Sequence, residues 1–234
     1  MSATPGRGRC WTTAPAAAPF DWTNISRHSM SNPLTLYDYL PSGNGYKVRL
    51  VLKQLGIPYR LVEVDIKRGL TRTSEFLAKN PNGRIPLLEI NGQGFLAESH
   101  AIIWYLAENS RLVPTDRLQR ALLWQWLCFE QYNLEPNIGT VRFWLRSLGK
   151  TEAELGEKLK EKVDKGYQAL EVLERGLAGS DFLVGGQYSL ADISLYAYTH
   201  VAEEGGFSLA RFPAIRGWLG RVASQSGCEP ITAR

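Results

Sequence analysis

Between Leu34 and Glu108 the chain alternates short runs of period two with runs of helical period, and beyond Pro114 only the helical period remains. This switch constrains the fold more than any other feature, because interleaved strands and helices ask for a covered sheet and helices alone ask for a bundle. Leu34 to Tyr39 (LTLYDY) alternates with β-favouring residues and stops at the turn cluster Pro41-Ser42-Gly43-Asn44-Gly45. Tyr46 to Leu55 places Val48, Leu52 and Leu55 on one helical face and ends at Gly56, a suitable C-cap. Arg60 to Asp65 alternates as a strand, and Thr73 to Lys79 reads as a short helix with a Ser/Thr cap. Pro86 to Ile90 and Gly94 to Ala97 are strands joined by Asn91-Gly92, a hairpin signal. Ser99 to Glu108 closes the unit as a helix with Ile102, Ile103 and Leu106 inward. The order is βαβαββα, assigned to residues 31–110.

Residues 116–234 read as an all-helical module. Asp116 to Gly149 forms one long helix, or two broken near Pro136, with Leu122, Trp126, Phe129 and Asn133 at helical spacing. Thr151 to Leu177 carries the stripe Leu155, Leu159, Val163, Tyr167, Leu170 and Leu173. Ser189 to Glu203 opens with Ser189 and Asp192 at capping-box spacing, a role in folding, and Phe212 to Ser224 is the last helix.

Residues 1–30 differ. They are rich in Ala, Pro, Thr and Gly with a single acid, Asp21, and such composition buries too little surface to offset ordering entropy. The segment reads as a disordered tail or as an extension upstream of Met30 as working initiator; Pro5, Pro15 and Pro19 weigh against an amphipathic targeting helix. The net charge of +4 is spread along the chain, which gives nucleic acid no concentrated basic patch. No apolar run reaches the roughly 18 residues of a membrane helix. Cys10, Cys128 and Cys228 lie far apart with no CxxC pair and no His at ligand spacing, so no disulfide framework or metal site is expected, and a reducing, cytoplasmic setting is.

Three short segments carry chemistry. In Asn80-Pro81-Asn82-Gly83-Arg84-Ile85-Pro86 an X-Pro bond feeds straight into a strand. A cis bond there would turn the Ile85 N–H and C=O outward, able to pair an extended peptide as an added strand; an ordinary Pro-rich loop fits equally. Glu98-Ser99 falls at a strand-to-helix junction. Orphan N–H groups, the helix dipole and the Ser99 hydroxyl favour a carboxylate there, and Glu98 can pair an ammonium; simple N-capping explains the pair as well. Ser42 precedes the first helix, where its hydroxyl can cap the helix or meet a bound thiolate.

Taken together, these segments resemble the glutathione transferase family in order and spacing: NPxGxIP, the Glu-Ser pair 12 residues after the proline, and SLADIS. The resemblance implies an α/β thioredoxin-like N-terminal domain followed by an all-α C-terminal domain, glutathione as co-substrate, a small hydrophobic electrophile as second substrate, and a homodimer. LYDYLPSGNGYKVRL looks like the serine-type zeta, phi and tau classes with Ser42 on the catalytic serine, and Asn44 is similar to bacterial nu-type enzymes that act through a Thr and an Asn. The resemblance further implies that Ile85 and cis-Pro86 hold the cysteinyl part of glutathione, that Glu98 and Ser99 hold its γ-glutamyl head, and that Arg72 meets the glycyl carboxylate. Arg84 stands where Gln is commoner. Tyr132, Arg142, Phe143 and Trp144 are candidates for the second-substrate pocket, although a Trp/Phe-rich helix also suits a core. The implied activity is conjugation of the glutathione thiolate to electrophiles. Alternatives on the same fold are a glutathione-dependent isomerase, a disulfide-bond reductase, or a non-catalytic interaction protein.

Overall fold

Leu36, fully buried in the middle of β1 (Leu34–Asp38), faces Leu61 on one side and Leu88 on the other. β2 (Tyr59–Glu63) runs parallel to β1; β3 (Leu87–Ile90) pairs antiparallel with β1, and β4 (Gly94–Ala97) antiparallel with β3. The sheet order is β2-β1-β3-β4. The computed structural model describes residues 34–90 and 93–233; the expectations for residues 1–30, Cys10 and the Asn91-Gly92 turn lie outside the described residues.

The parallel β1–β2 pair requires a crossover, which α1 (Gly43–Gln54) supplies. The helix begins earlier than its sequence pattern suggests, inside the glycine-rich turn, because Ser42 caps it by accepting from the Gly45 N–H. A Cβ at Gly43 would come within 2.6 Å of the Tyr198 ring, and one at Gly45 within 1.7 Å of the Asp38 carboxylate. Only glycine permits both close approaches.

Periodicity puts Lys47 and Arg49 on the wet side of this helix, yet both are buried, because α1 is covered on more than one face. Arg49 bonds the buried Asp38 carboxylate at 2.9 Å, the Leu40 carbonyl at 2.6 Å and the Ile231 and Ala233 carbonyls at 2.8 and 3.0 Å. It ties the C-terminal segment to the strand end that leads into Ser42.

α2 (Ser74–Lys79) is capped by Thr73, and α3 (Ser99–Ala107) follows β4 directly. The long helix predicted near residues 116–149 begins as α4 (Arg117–Phe129) and is not broken at Pro136. Glu130–Gly139 continues in wide π-type turns through Pro136, followed by α5 (Thr140–Arg142) and a second wide stretch, Phe143–Ser147. The Asn133 and Asn137 amides donate to the Phe129 and Asn133 carbonyls one turn back, helping to satisfy a backbone that the proline and the wide turns disturb.

The next predicted helix is interrupted at Gly156, whose φ of +49° separates α6 (Glu152–Leu155) from α7 (Glu157–Leu177). α8 (Leu190–Thr199) is buried along its whole length and lies at the centre of the helical part. Its capping box is Ser189 with Asp192, as the spacing predicts. α9 (Pro213–Ala223) packs the fully buried Trp218 against it.

Candidate functional site

The segments singled out in the sequence meet along one cleft. Pro41, Ser42 and Asn44 come from the turn before α1; Arg72, Arg84 and Ile85 from the loops around α2 and before β3; Glu135, Arg142 and Phe143 from the wide-turned helix; and Tyr198 from α8. The cleft measures about 390 Å³. A smaller cavity of about 50 Å³ adjoins it, lined among others by Asn44, Arg84, Pro86, Glu98, Ser99 and Glu135.

The Ile85–Pro86 bond is cis, and Ile85 stands outside the ladder, which begins at Leu87. Glu98 caps α3 with a φ of +69° and makes no capping bond with its side chain. A non-glycine residue in that region costs about 1–3 kcal/mol, tolerated where surrounding structure imposes it, and such outliers gather at ligand sites. The Glu98 carboxylate is thereby left for the cavity. Ser99 is buried, its hydroxyl 3.5 Å from Asn44 Oδ1.

Asn44 does not turn back onto its own loop. Its Oδ1 accepts from Lys47 Nζ at 2.8 Å as well as from Ser99, and it lines both cavities beside Glu135. Lys47 lies fully buried 2.8 Å from Glu130 Oε2, and His100 Nε2 stands 3.2 Å from the same oxygen and 2.6 Å from Ser194 Oγ. Burial alone would push the Glu130 carboxyl up, but Lys47 and His100 outweigh it and hold it down. His100 is also held down, by burial and then by the Lys47 charge. A neutral His100 beside a Lys47–Glu130 ion pair therefore underlies the turn that carries Ser42.

Burial holds the Tyr198 phenol well above its ordinary range, against the opposing pull of the Ser42 hydroxyl and the Asn44 backbone beside it. Arg142 lines the cleft, but its donors are occupied: Nη1 bonds the Pro41 carbonyl at 2.7 Å, and Nε bonds Glu204 at 2.9 Å. Its guanidinium fixes the turn from the helical side. Phe143 offers a half-buried aromatic wall. Tyr132 is 85% exposed, and neither it nor the half-buried Trp144 lines the cleft, since the helix carries them on other faces. Arg72 donates to the Asn82 carbonyl and packs over Gly83.

Lys47, Glu130, Glu135 and Tyr198 were not among the sequence-derived candidates. A lone acid or lysine on a long helix looks like a solvated face, and Tyr198 sits in an apolar run. The close approach of Tyr198 to Gly43 and Gly139 was the available signal, and it is visible only in three dimensions. A separate cavity of about 350 Å³ lies between α1, β2 and the C-terminal segment and shares no lining residue with the cleft. Among the described residues, no group of three or more His, Cys, Asp or Glu side chains is placed to hold a metal ion.

A four-stranded mixed sheet of this order, a cis-proline entering β3 and a central buried helix define a thioredoxin-like domain joined to a helical one. The model of the glutathione S-transferase N-terminal domain matches residues 32–108, and that of the C-terminal domain matches residues 135–226. The chain belongs to the glutathione S-transferase family. It is 45% identical to a glutathione S-transferase from Pseudomonas fluorescens of known structure, covering 86% of this chain and all (100%) of that one, with a TM-score of 0.84. It is 32% identical to a maleylacetoacetate isomerase of Rhizobium meliloti, over 87% of this chain and 95% of the relative. It is 30% identical to the disulfide-bond oxidoreductase YfcG of Escherichia coli, over 80% and 89% respectively.

Proposed function

We propose that the protein binds glutathione in this cleft and transfers its thiolate to small electrophiles. The observation that carries the reading is the convergence of Ser42 at the start of α1, Ile85 beside its cis-proline, and Glu98-Ser99 at the start of α3 on two adjoining cavities. In this reading the Ile85 main chain pairs the cysteinyl part, Glu98 takes the α-ammonium of the γ-glutamyl head, and Ser99 takes its α-carboxylate. Ser42 donates to the thiolate, and Phe143 forms part of the wall for the electrophile.

The magnitudes suffice. Lowering a thiol pKa of about 8.5 by two units requires about 2.7 kcal/mol. A hydrogen bond to a charged acceptor contributes about 1.5–3 kcal/mol, and a helix N-terminus about 0.3–1 kcal/mol, more when partly buried.

Isothermal calorimetry with glutathione tests the binding, and rates with a dinitro-substituted aryl chloride and with a glutathione mixed disulfide separate the chemistries. Ser99→Ala should weaken glutathione by about 1.5–3 kcal/mol, or about 10- to 150-fold. Unchanged affinity in a folded Ser99→Ala protein rejects the placement. Faster turnover of the disulfide than of the aryl chloride assigns a reductase, the reading favoured by likeness to the oxidoreductase, and absence of glutathione binding by the wild type leaves an interaction protein.

Ser42→Ala should raise the bound thiol pKa by about one to two units, about 1.4–2.7 kcal/mol, with little change in affinity. Asn44→Ala should do less, because the Asn44 amide oxygen is held by Lys47 and Ser99. Titrating thiolate absorbance in each binary complex decides between them. A large shift confined to Asn44→Ala overturns the serine assignment.

A further inference from the structure

The larger cleft and the small cavity share four lining residues, Asn44, Arg84, Ile85 and Glu135. In the reading above, which this inference extends, the cysteinyl part of glutathione lies against Ile85, so these four surround the thiol. Ionising that thiol releases a proton that must go somewhere. The Ser42 hydroxyl can donate to a thiolate but cannot hold a further proton near neutral pH. The Tyr198 phenol, kept protonated by burial, is likewise no acceptor there. Glu135 is the sole carboxylate lining the larger cleft, and no histidine lines either cavity among the described residues.

We propose that Glu135 is the proton acceptor for the glutathione thiol. It is half-buried and lines both cavities, as Asn44 of the turn before α1 does. The charges around it are balanced. From its own helix Glu130 faces it, from α1 Lys47, from the loop before β3 Arg84, from α8 the Tyr198 phenol, and across the small cavity Glu98. Burial first and Glu130 second push its carboxyl up, while Lys47, Asn44 and Arg84 oppose them. The balance leaves the carboxyl above its ordinary value, which strengthens it as a proton acceptor.

The step closes on its own atoms. The S–H bond breaks, its proton forms an O–H bond on Glu135, and the sulfur keeps the electron pair. The thiolate forms a bond to the electrophilic carbon as the leaving group departs with its own pair. Glu135 then gives its proton to that anion or to water, and no oxidant or reductant is needed. The role would be invisible in the sequence, where Glu135 is an acid beside Pro136 on a long helix.

Glu135→Gln keeps the length of the side chain while removing the base. At neutral pH the variant should keep most of the conjugation rate, because Ser42 alone holds a thiol of pKa about 6.5 largely ionised; below that pH its rate should fall about tenfold per pH unit as solvent protons return to the sulfur, while the wild type, with Glu135 holding the proton, falls less steeply. Calorimetry of glutathione binding in buffers of different ionisation enthalpy counts the released protons, to be set against thiolate absorbance. The wild type should release few protons per thiolate formed and Glu135→Gln close to one. Glu135→Asp, which keeps the carboxylate, should retain the wild-type proton count. Equal proton counts and parallel pH–rate profiles in wild type and Glu135→Gln overturn the proposal. Failure of the wild type itself to bind glutathione overturns the proposed function instead.

Discussion

Replacing Lys47 by Met is expected to lower the free energy of unfolding by about 3–5 kcal/mol, the cost of leaving a buried partner charge uncompensated. The Lys47 and Glu130 side chains are both fully buried and 2.8 Å apart. Methionine follows much of the lysine stem, so lost packing is small and nearly the whole effect is electrostatic. It removes the cation from Glu130 and the donor from Asn44 together. The remaining source of positive charge is His100, kept neutral by burial and by Lys47 itself. Once Lys47 is gone, protonation of His100 or of Glu130 relieves the buried anion, so the deficit should narrow on acidification. Adding Glu130→Met should recover most of the stability, because a buried ion pair replaced by apolar side chains of similar volume is often neutral or better. Urea unfolding of the two variants and the wild type supplies the numbers. A Lys47→Met protein within about 1 kcal/mol of the wild type would mean that water reaches Glu130, and would remove the ion pair from any account of the site.

What the sequence makes legible is what is decided locally. Strand alternation in LTLYDY, the Thr73 cap, the Ser189–Asp192 box and the turn cluster before α1 each depend on neighbours within a few positions, and each appears in the structure close to its predicted place. The cis peptide at Ile85–Pro86 is different: the residues alone fit an ordinary loop as well, and the family resemblance is what implied the cis bond that the structure has. The illegible part depends on what covers what. YKVRLVLKQL has one apolar face and one charged face, yet the described C-terminal segment and the wide-turned helix bring partners to Arg49 and Lys47 over 180 and 80 positions away. Pro136 is a breaker by its own chemistry, and the helix passes it by widening its turns, aided by side-chain amides of Asn133 and Asn137. The same widening governs which side chains reach the cleft: Glu135, Arg142 and Phe143 line it, and Tyr132 and Trp144 do not. A regular helical wheel drawn through this stretch misplaces such residues by a large angle.

Asp192→Ala is expected to cost about 4–6 kcal/mol at neutral pH, because fixed donors would lose a buried acceptor at about 1–3 kcal/mol each. Asp192 is fully buried, and its carboxylate accepts from four groups: the Leu183 N–H, the Ser189 N–H and hydroxyl, and the Trp218 indole N–H, at 2.9 to 3.1 Å. The spacing of a capping box accounts for the two Ser189 contacts. The other two reach outside α8, to the segment before it and to the fully buried Trp218 of α9, so one side chain joins three pieces of the helical domain. Asp192→Asn should not restore these contacts, since the amide NH2 group would face a backbone or hydroxyl donor that now meets an oxygen. The pH dependence has a definite sign. Burial pushes the Asp192 carboxyl up to about 6 against its four donors, from an ordinary value of 3.8. Between those values the folded chain binds a proton that the unfolded chain has released, so this group's contribution is fully present below about pH 4 and declines as pH rises toward 6. The difference between wild type and Asp192→Ala should therefore be largest in acid, shrink across that window and level off above it. Denaturant titrations at pH 4.5 and 7.5 check both parts, each pH lying on one side of the native titration. A loss below about 2 kcal/mol at the higher pH would mean that the donors find other acceptors. A deficit that grows with pH would mean that the four hydrogen bonds outweigh burial and hold the carboxylate ionised, and that Asp192 stabilises the domain chiefly as an anion.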